Sequence, residues 1–97
     1  MGQAIRLQPD EAVFHYFRGN FNWKLAEYDQ AIADLTEAIR LDPKNAEYVF
    51  ARGQAYKIDF QFEKAIADFD ATLRLDLSYR AAKQARYDTF RERDGSQ

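Results

Sequence analysis

Two segments of this 97-residue chain repeat one pattern at a fixed offset of 34, and no other feature limits its folding as much. Laying residues 12–45 over 46–79 gives ten identical pairs without a gap: Ala12/Ala46, Arg18/Arg52, Gly19/Gly53, Ala31/Ala65, Ile32/Ile66, Ala33/Ala67, Asp34/Asp68, Arg40/Arg74, Leu41/Leu75 and Asp42/Asp76. Phe14/Tyr48, Tyr28/Phe62, Leu35/Phe69 and Ile39/Leu73 differ conservatively. The offset also runs backwards, since Ala4-Ile5-Arg6-Leu7-Gln8-Pro9 matches Ala38-Ile39-Arg40-Leu41-Asp42-Pro43. A period of this length signals a stacked array, in which each unit buries its apolar face against its neighbours.

Each unit reads as two helices. Phe14, Phe17, Phe21 and Leu25 recur at spacings of three and four, the stripe of a buried helical face. Tyr28, Ile32, Leu35 and Ile39 do the same in the second half of the unit. Pro9 and Pro43 punctuate the joints between units, because proline cannot continue a helix. Asp10 and Asn45 follow them and are expected N-caps. Gly19 and Gly53 sit inside first helices, where glycine costs about 1 kcal/mol relative to alanine. Repeating that cost implies a packing reason: without a Cβ, a neighbouring helix comes close.

These features carry a resemblance. Helix-turn-helix units of this length, with small residues, aromatics and a terminal proline at fixed positions, are similar to tetratricopeptide repeats. The first unit supplies Gly19, Tyr28, Ala31, Leu35, Ala38 and Pro43, and the second Gly53, Tyr56, Phe62, Ala65 and Phe69. The chain departs from the pattern at His15 and Val49, where an aromatic is expected, and at Asn22, where a tyrosine is. Ala26 and Phe60 stand at the helix-turn glycine, and Thr72 and Leu77 replace the second unit's alanine and proline. The resemblance implies an all-α fold, an antiparallel helix-hairpin superhelix of the α-α solenoid kind.

It divides the single domain into the tail of a truncated repeat at 4–11, repeat 1 at 12–45, repeat 2 at 46–79, a capping helix at 80–93 and a frayed tail at 94–97. The cap, Arg80 to Arg93, is rich in helix-forming Ala, Arg, Lys, Gln and Glu, with only Tyr87 and Phe90 as large apolar residues. Because residues 4–9 match only the end of a unit, the chain reads as a piece of a longer array.

Composition closes several routes. A net charge of -2, with basic residues scattered among carboxylates, argues against a nucleic-acid partner. There is no cysteine, so disulfides, thiolate zinc sites and cysteine nucleophiles are out. No apolar run approaches the roughly 20 residues that span a bilayer, and the N-terminus lacks the apolar core of a signal peptide. Met1-Gly2 is not an acylation signal, because Arg6 stands where Ser or Thr is wanted. No membrane partner is expected, and these absences are compatible with a cytoplasmic location.

Nothing nominates catalysis. His15 is the only histidine, so a multi-histidine metal site is impossible, and no carboxylate or nucleophile is nominated beside it. Asp34, Glu37, Asp68 and Asp70 fall on second helices at positions expected to face solvent. The four glycines are too far apart for a phosphate loop. The chain is therefore expected to be no enzyme and to need no cofactor or metal.

What remains is a surface. The resemblance implies that first helices line a concave groove, where a protein or peptide partner lies. The matching positions hold Val13, Tyr16, Asn20, Trp23 and Lys24, then Glu47, Phe50, Gln54, Lys57 and Ile58, with Gln84 and Asp88 continuing from the cap. Of these, Tyr16, Asn20, Trp23, Lys24, Phe50, Gln54 and Lys57 are the expected peptide-binding residues. Aromatics on a surface mark interaction patches, and amides can bond an extended backbone. Some relatives clamp a chaperone's C-terminal carboxylate, but of that clamp only Asn20 survives. Tyr16 stands where a lysine is wanted, Ala51 where an asparagine is, and Ala81 and Ala85 where later cations belong. Two other readings compete: self-assembly, as a homodimer joined through Ile5, Leu7, Phe14, Phe17 and Phe21, and an auxiliary domain of a larger protein.

Overall fold

The computed structural model describes residues 11–95, and those residues form five helices and no strand. They are α1 (Glu11–Lys24), α2 (Tyr28–Leu41), α3 (Ala46–Ile58), α4 (Phe62–Leu75) and α5 (Arg80–Asp94). α1 packs chiefly on α2 and α3 on α4, so each sequence repeat is one helical hairpin. α2 against α3 and α4 against α5 join the hairpins in series. Weaker contacts of α1 with α3, and of α3 with α5, set the first helices side by side.

Local chemistry fixes the joints. Asn45 caps α3, its side-chain oxygen accepting from the backbone N–H of Glu47 at 3.0 Å and of Tyr48 at 3.4 Å. Asp10 and residues 4–9, including Ile5 and Leu7, lie outside the described residues. At the hairpin turns, Ala26 and Phe60 both adopt a left-handed conformation, each with φ of 63°. Glu27 N–H donates to the Asn22 carbonyl and Ala26 N–H to that of Trp23. One repeat later, Gln61 donates to Tyr56 and Phe60 to Lys57. Both turns are Schellman closures, with a Cβ-bearing residue where glycine is favoured. α5 runs through Asp94, one residue beyond the expected cap, and ends at Gly95 with φ of 70°.

The core lies inside and between the hairpins. Ala31, Leu35, Ala38, Ala55, Ala65, Phe69 and Ala82 are fully buried. The repeated glycines do what their positions implied. A Cβ at Gly19 would lie 2.9 Å from Leu35 Cγ, and one at Gly53 would lie 2.7 Å from Phe69 Cε1. Thr72 fits the alanine position because its hydroxyl donates to the Asp68 carbonyl at 2.8 Å, so its buried polar atom is satisfied.

Two expectations need correction. The stripe Phe14, Phe17, Phe21 and Leu25 is exposed, not buried. In unit 2 the matching face, beginning at Tyr48 on Ala38, meets the preceding hairpin, whereas α1 is the first described helix. The carboxylates of Asp34 and Asp68 do not face solvent either: they are 7% and 5% exposed. Arg18 grips Asp34 through two bonds of 2.9 and 2.7 Å, and Arg52 grips Asp68 through two of 2.8 Å. These are the same pair one repeat apart, pinning first helix to second within each hairpin. Arg52 also donates to Thr36 Oγ1 at 3.2 Å, which ties unit 2 back to unit 1.

Candidate functional site

The side-by-side first helices leave a groove of about 390 Å³, lined by Phe17, Asn20, Phe21, Trp23 and Lys24 of α1 and by Ala51 and Gln54 of α3. Phe17, Asn20, Phe21 and Lys24 follow at spacings of three and four, so they share one face of α1. Trp23 is half-buried in the lining, and its indole N–H is buried with no acceptor among the described residues. An unmet donor of this kind costs about 1–3 kcal/mol. A wider depression of about 580 Å³ beside Arg80, Ala81, Lys83 and Gln84 belongs to α5 alone. It has no second helix to form a wall.

Of the residues expected to bind, Asn20, Trp23, Lys24 and Gln54 come together in the groove. Tyr16 and Phe50, equivalent positions one repeat apart, lie at the joints. The Tyr16 ring stacks 4.8 Å from Tyr48, and its hydroxyl donates to Glu47 Oε2 at 3.0 Å. Burial pushes the Tyr16 phenol above its ordinary pKa; a bond from Asn20 opposes this and Glu47 adds to it. Phe50 packs 5.0 Å from Tyr79 and 5.6 Å from Phe69. Lys57 forms an ion pair with Glu92 of α5 at 3.2 Å. Gln84 donates to Asp88 within α5 at 3.0 Å.

Phe17 and Phe21, expected in a buried stripe or in self-association, line the groove, and so does Ala51, which stands at a clamp position. Their spacing from Asn20 and Lys24 was the available signal.

His15 has a carboxylate neighbour that its sequence context did not nominate, Asp34 Oδ1 at 3.2 Å from Nδ1. That carboxylate also accepts from Arg18 and, at 3.2 Å, from Asn22 Nδ2. Arg18 foremost, opposed by burial and helped by His15, holds the Asp34 carboxyl below the usual carboxylate range. The cluster is a cross-link between α1 and α2. Among the described residues, no three His, Cys, Asp or Glu gather as a metal site, and no helix is long and apolar enough to cross a membrane.

Repeat, fold and groove together define a helical-hairpin scaffold. The family model for the TPR repeat matches residues 27–57, from the turn before α2 almost to the end of α3. The first TPR of Spaghetti (RPAP3), solved bound to the HSP90 peptide SRMEEVD, superposes with a TM-score of 0.80 at 28% identity. That match covers 84% of this chain and 65% of the other. The Arabidopsis OM64 TPR domain gives 0.81 at 29% identity, over 92% of this chain and 74% of the other. This chain thus spans less than two thirds of the first of these domains. No curated protein matches its sequence. With the internal repeat, these likenesses support a tetratricopeptide-repeat fold for the chain, an all-α solenoid of helical hairpins, and tetratricopeptide-repeat domains are protein–protein interaction modules.

Proposed function

We propose that the chain is a cytoplasmic, non-catalytic scaffold that holds an extended peptide in the groove between α1 and α3. The observation that carries this reading is the groove's mixture of surfaces: the exposed rings of Phe17 and Phe21 beside the amides of Asn20 and Gln54, over the half-buried Trp23. Apolar peptide side chains gain burial on the rings, and the amides meet the peptide backbone. A small shift of the indole would give the unmet Trp23 donor a peptide carbonyl. The likeness to a domain solved with a bound peptide supports the mode of binding.

The peptide class differs from an acidic tail. Glu47 stands at the Tyr16 hydroxyl, Lys57 is engaged by Glu92, and Ala51 occupies a position that the carboxylate clamp gives to asparagine. Lys24 is the one cation lining the groove. A peptide with apolar anchors and little net charge fits best.

Peptides selected from a random displayed library test this. Trp23 is the chain's only tryptophan, so its emission reports occupancy directly. Selected peptides are expected to shift that emission, and Gln54→Ala is expected to weaken them about tenfold with the melting temperature retained. SRMEEVD, used as a probe, is expected to bind no better than its scrambled form. Selected peptides that leave Trp23 emission unchanged would refute the groove, and tight SRMEEVD binding would refute the peptide class.

A further inference from the structure

We propose, resting on the groove reading above, that the bound peptide carries one basic side chain, a lysine or arginine, held at the Glu47 carboxylate beside the phenols of Tyr16 and Tyr79. Three elements meet at this point. Tyr16 comes from α1, and its hydroxyl donates to Glu47 Oε2 at 3.0 Å. Glu47 lies in the first turn of α3, and Tyr79 stands at the N-cap position of α5. Burial foremost, and then the Glu47 charge, push the Tyr79 phenol above its ordinary pKa. Tyr79 adds in turn to the same rise at Tyr16. The two phenols and the carboxylate thus lie within electrostatic reach of one another.

Glu47 is not spent on its own helix. The backbone N–H groups of Glu47 and Tyr48 both donate to Asn45 Oδ1, so α3 is capped without the Glu47 side chain. Glu47 is exposed, and among the described residues no cation pairs with it: the ion pairs of α3 join Arg52 to Asp68 and Lys57 to Glu92. A carboxylate accepts about four hydrogen bonds, and the Tyr16 phenol fills only the first. Aromatic faces beside it attract a cation further. The site also continues the groove. Asn20, which lines the groove, bonds the Tyr16 hydroxyl. Tyr16 lies one helical turn before Asn20, about 6 Å along α1. An extended peptide advances about 3.3 Å per residue and turns every second side chain to the same face. The basic residue therefore falls two places from the residue seated at Asn20. Lys24 lines the groove one turn beyond Asn20 in the other direction. The two ends thus carry opposite charges, and a peptide that matches both has little net charge.

Peptides selected from the displayed library and resynthesised with acetylated N-termini test the site, with Trp23 emission as the titration signal. Selected sequences are expected to carry Lys or Arg two places from an apolar anchor. Changing that residue to Met, and changing Glu47→Gln in the protein, are each expected to weaken binding about fivefold, and the two together no more than either alone. Glu47→Gln keeps an oxygen for the Tyr16 hydroxyl and removes only the charge, so the melting temperature is expected to hold. Selection against Glu47→Lys is expected to replace the base by Asp or Glu. Peptides that shift Trp23 emission but carry no basic residue, or losses that add in the double change, overturn the cation site and leave the groove standing. Binding lost on acetylation alone gives the charge to the peptide terminus and overturns the side-chain assignment. Peptides that never move Trp23 emission remove the groove, and this site with it.

Discussion

Ala26→Gly and Phe60→Gly should each stabilise the protein, although in an ordinary helix the same change destabilises. Both residues sit at φ of 63° in the turn that closes a first helix. A side chain in the left-handed region costs roughly 1–2 kcal/mol, and glycine escapes that cost. Glycine also frees the unfolded chain, which returns about 0.4–1 kcal/mol to the unfolded side. The net gain is about 0.5–1 kcal/mol per site, or about 3–6 °C in melting temperature for a domain of this size. The gain should be smaller at Phe60. Its ring is 78% exposed but meets Phe62 edge-on at 6.0 Å, and that contact would be lost. Ala33→Gly is the control: Ala33 is exposed inside α2, and there glycine should cost about 1 kcal/mol. Thermal melts followed by circular dichroism compare the three variants. If Ala26→Gly lowers the melting temperature as Ala33→Gly does, the turn is not left-handed and the assigned hairpin closure is wrong.

Gly53→Leu should be far more damaging than Lys57→Ala, because a Cβ at Gly53 already lies 2.7 Å from Phe69 Cε1. Overpacking of this kind costs about 1–3 kcal/mol, whereas breaking the partly exposed Lys57–Glu92 pair costs at most about 1 kcal/mol; urea midpoints that coincide would refute the close approach of α3 and α4. Acid should loosen the α1–α2 cross-link. The Asp34 carboxyl is depressed in the folded state, so its contribution is complete above the unfolded carboxylate value of about 4 and is lost as pH falls through the folded one. Asp34→Asn should therefore flatten the fall in melting temperature between about pH 5 and pH 3, and an unchanged slope would remove Asp34 from the acid response.

Fold and site were legible to different degrees, for physical reasons. The hairpins could be read because the offset of 34 repeats the apolar stripes, the glycines and the joint prolines together. Gly19 and Gly53 announced close packing, and the clearances at Leu35 and Phe69 give it. Burial of Asp34 and Asp68 was not read, since a carboxylate at a helical position is usually solvated. The signal was nonetheless present: Arg18 with Asp34, and Arg52 with Asp68, repeat opposite charges at a constant separation of 16. Tyr16 and Phe50 show the limit of position matching. Groove and joint lie on adjacent faces of a first helix, and a large ring reaches either one. Phe17 and Phe21 met the same ambiguity from the other side, read as an edge stripe while also lining the groove.

Chemical-shift mapping would show whether a peptide lies between α1 and α3. Backbone and indole N–H resonances of the isotope-labelled chain would be followed while the tightest library-selected peptide is added. The Trp23 indole and the amides of Phe17, Asn20, Lys24, Ala51 and Gln54 are expected to shift together, while Gln30, Ala33 and Lys64 on second helices stay in place. Shifts confined to α2 and α4, with the Trp23 indole unmoved, would contradict it.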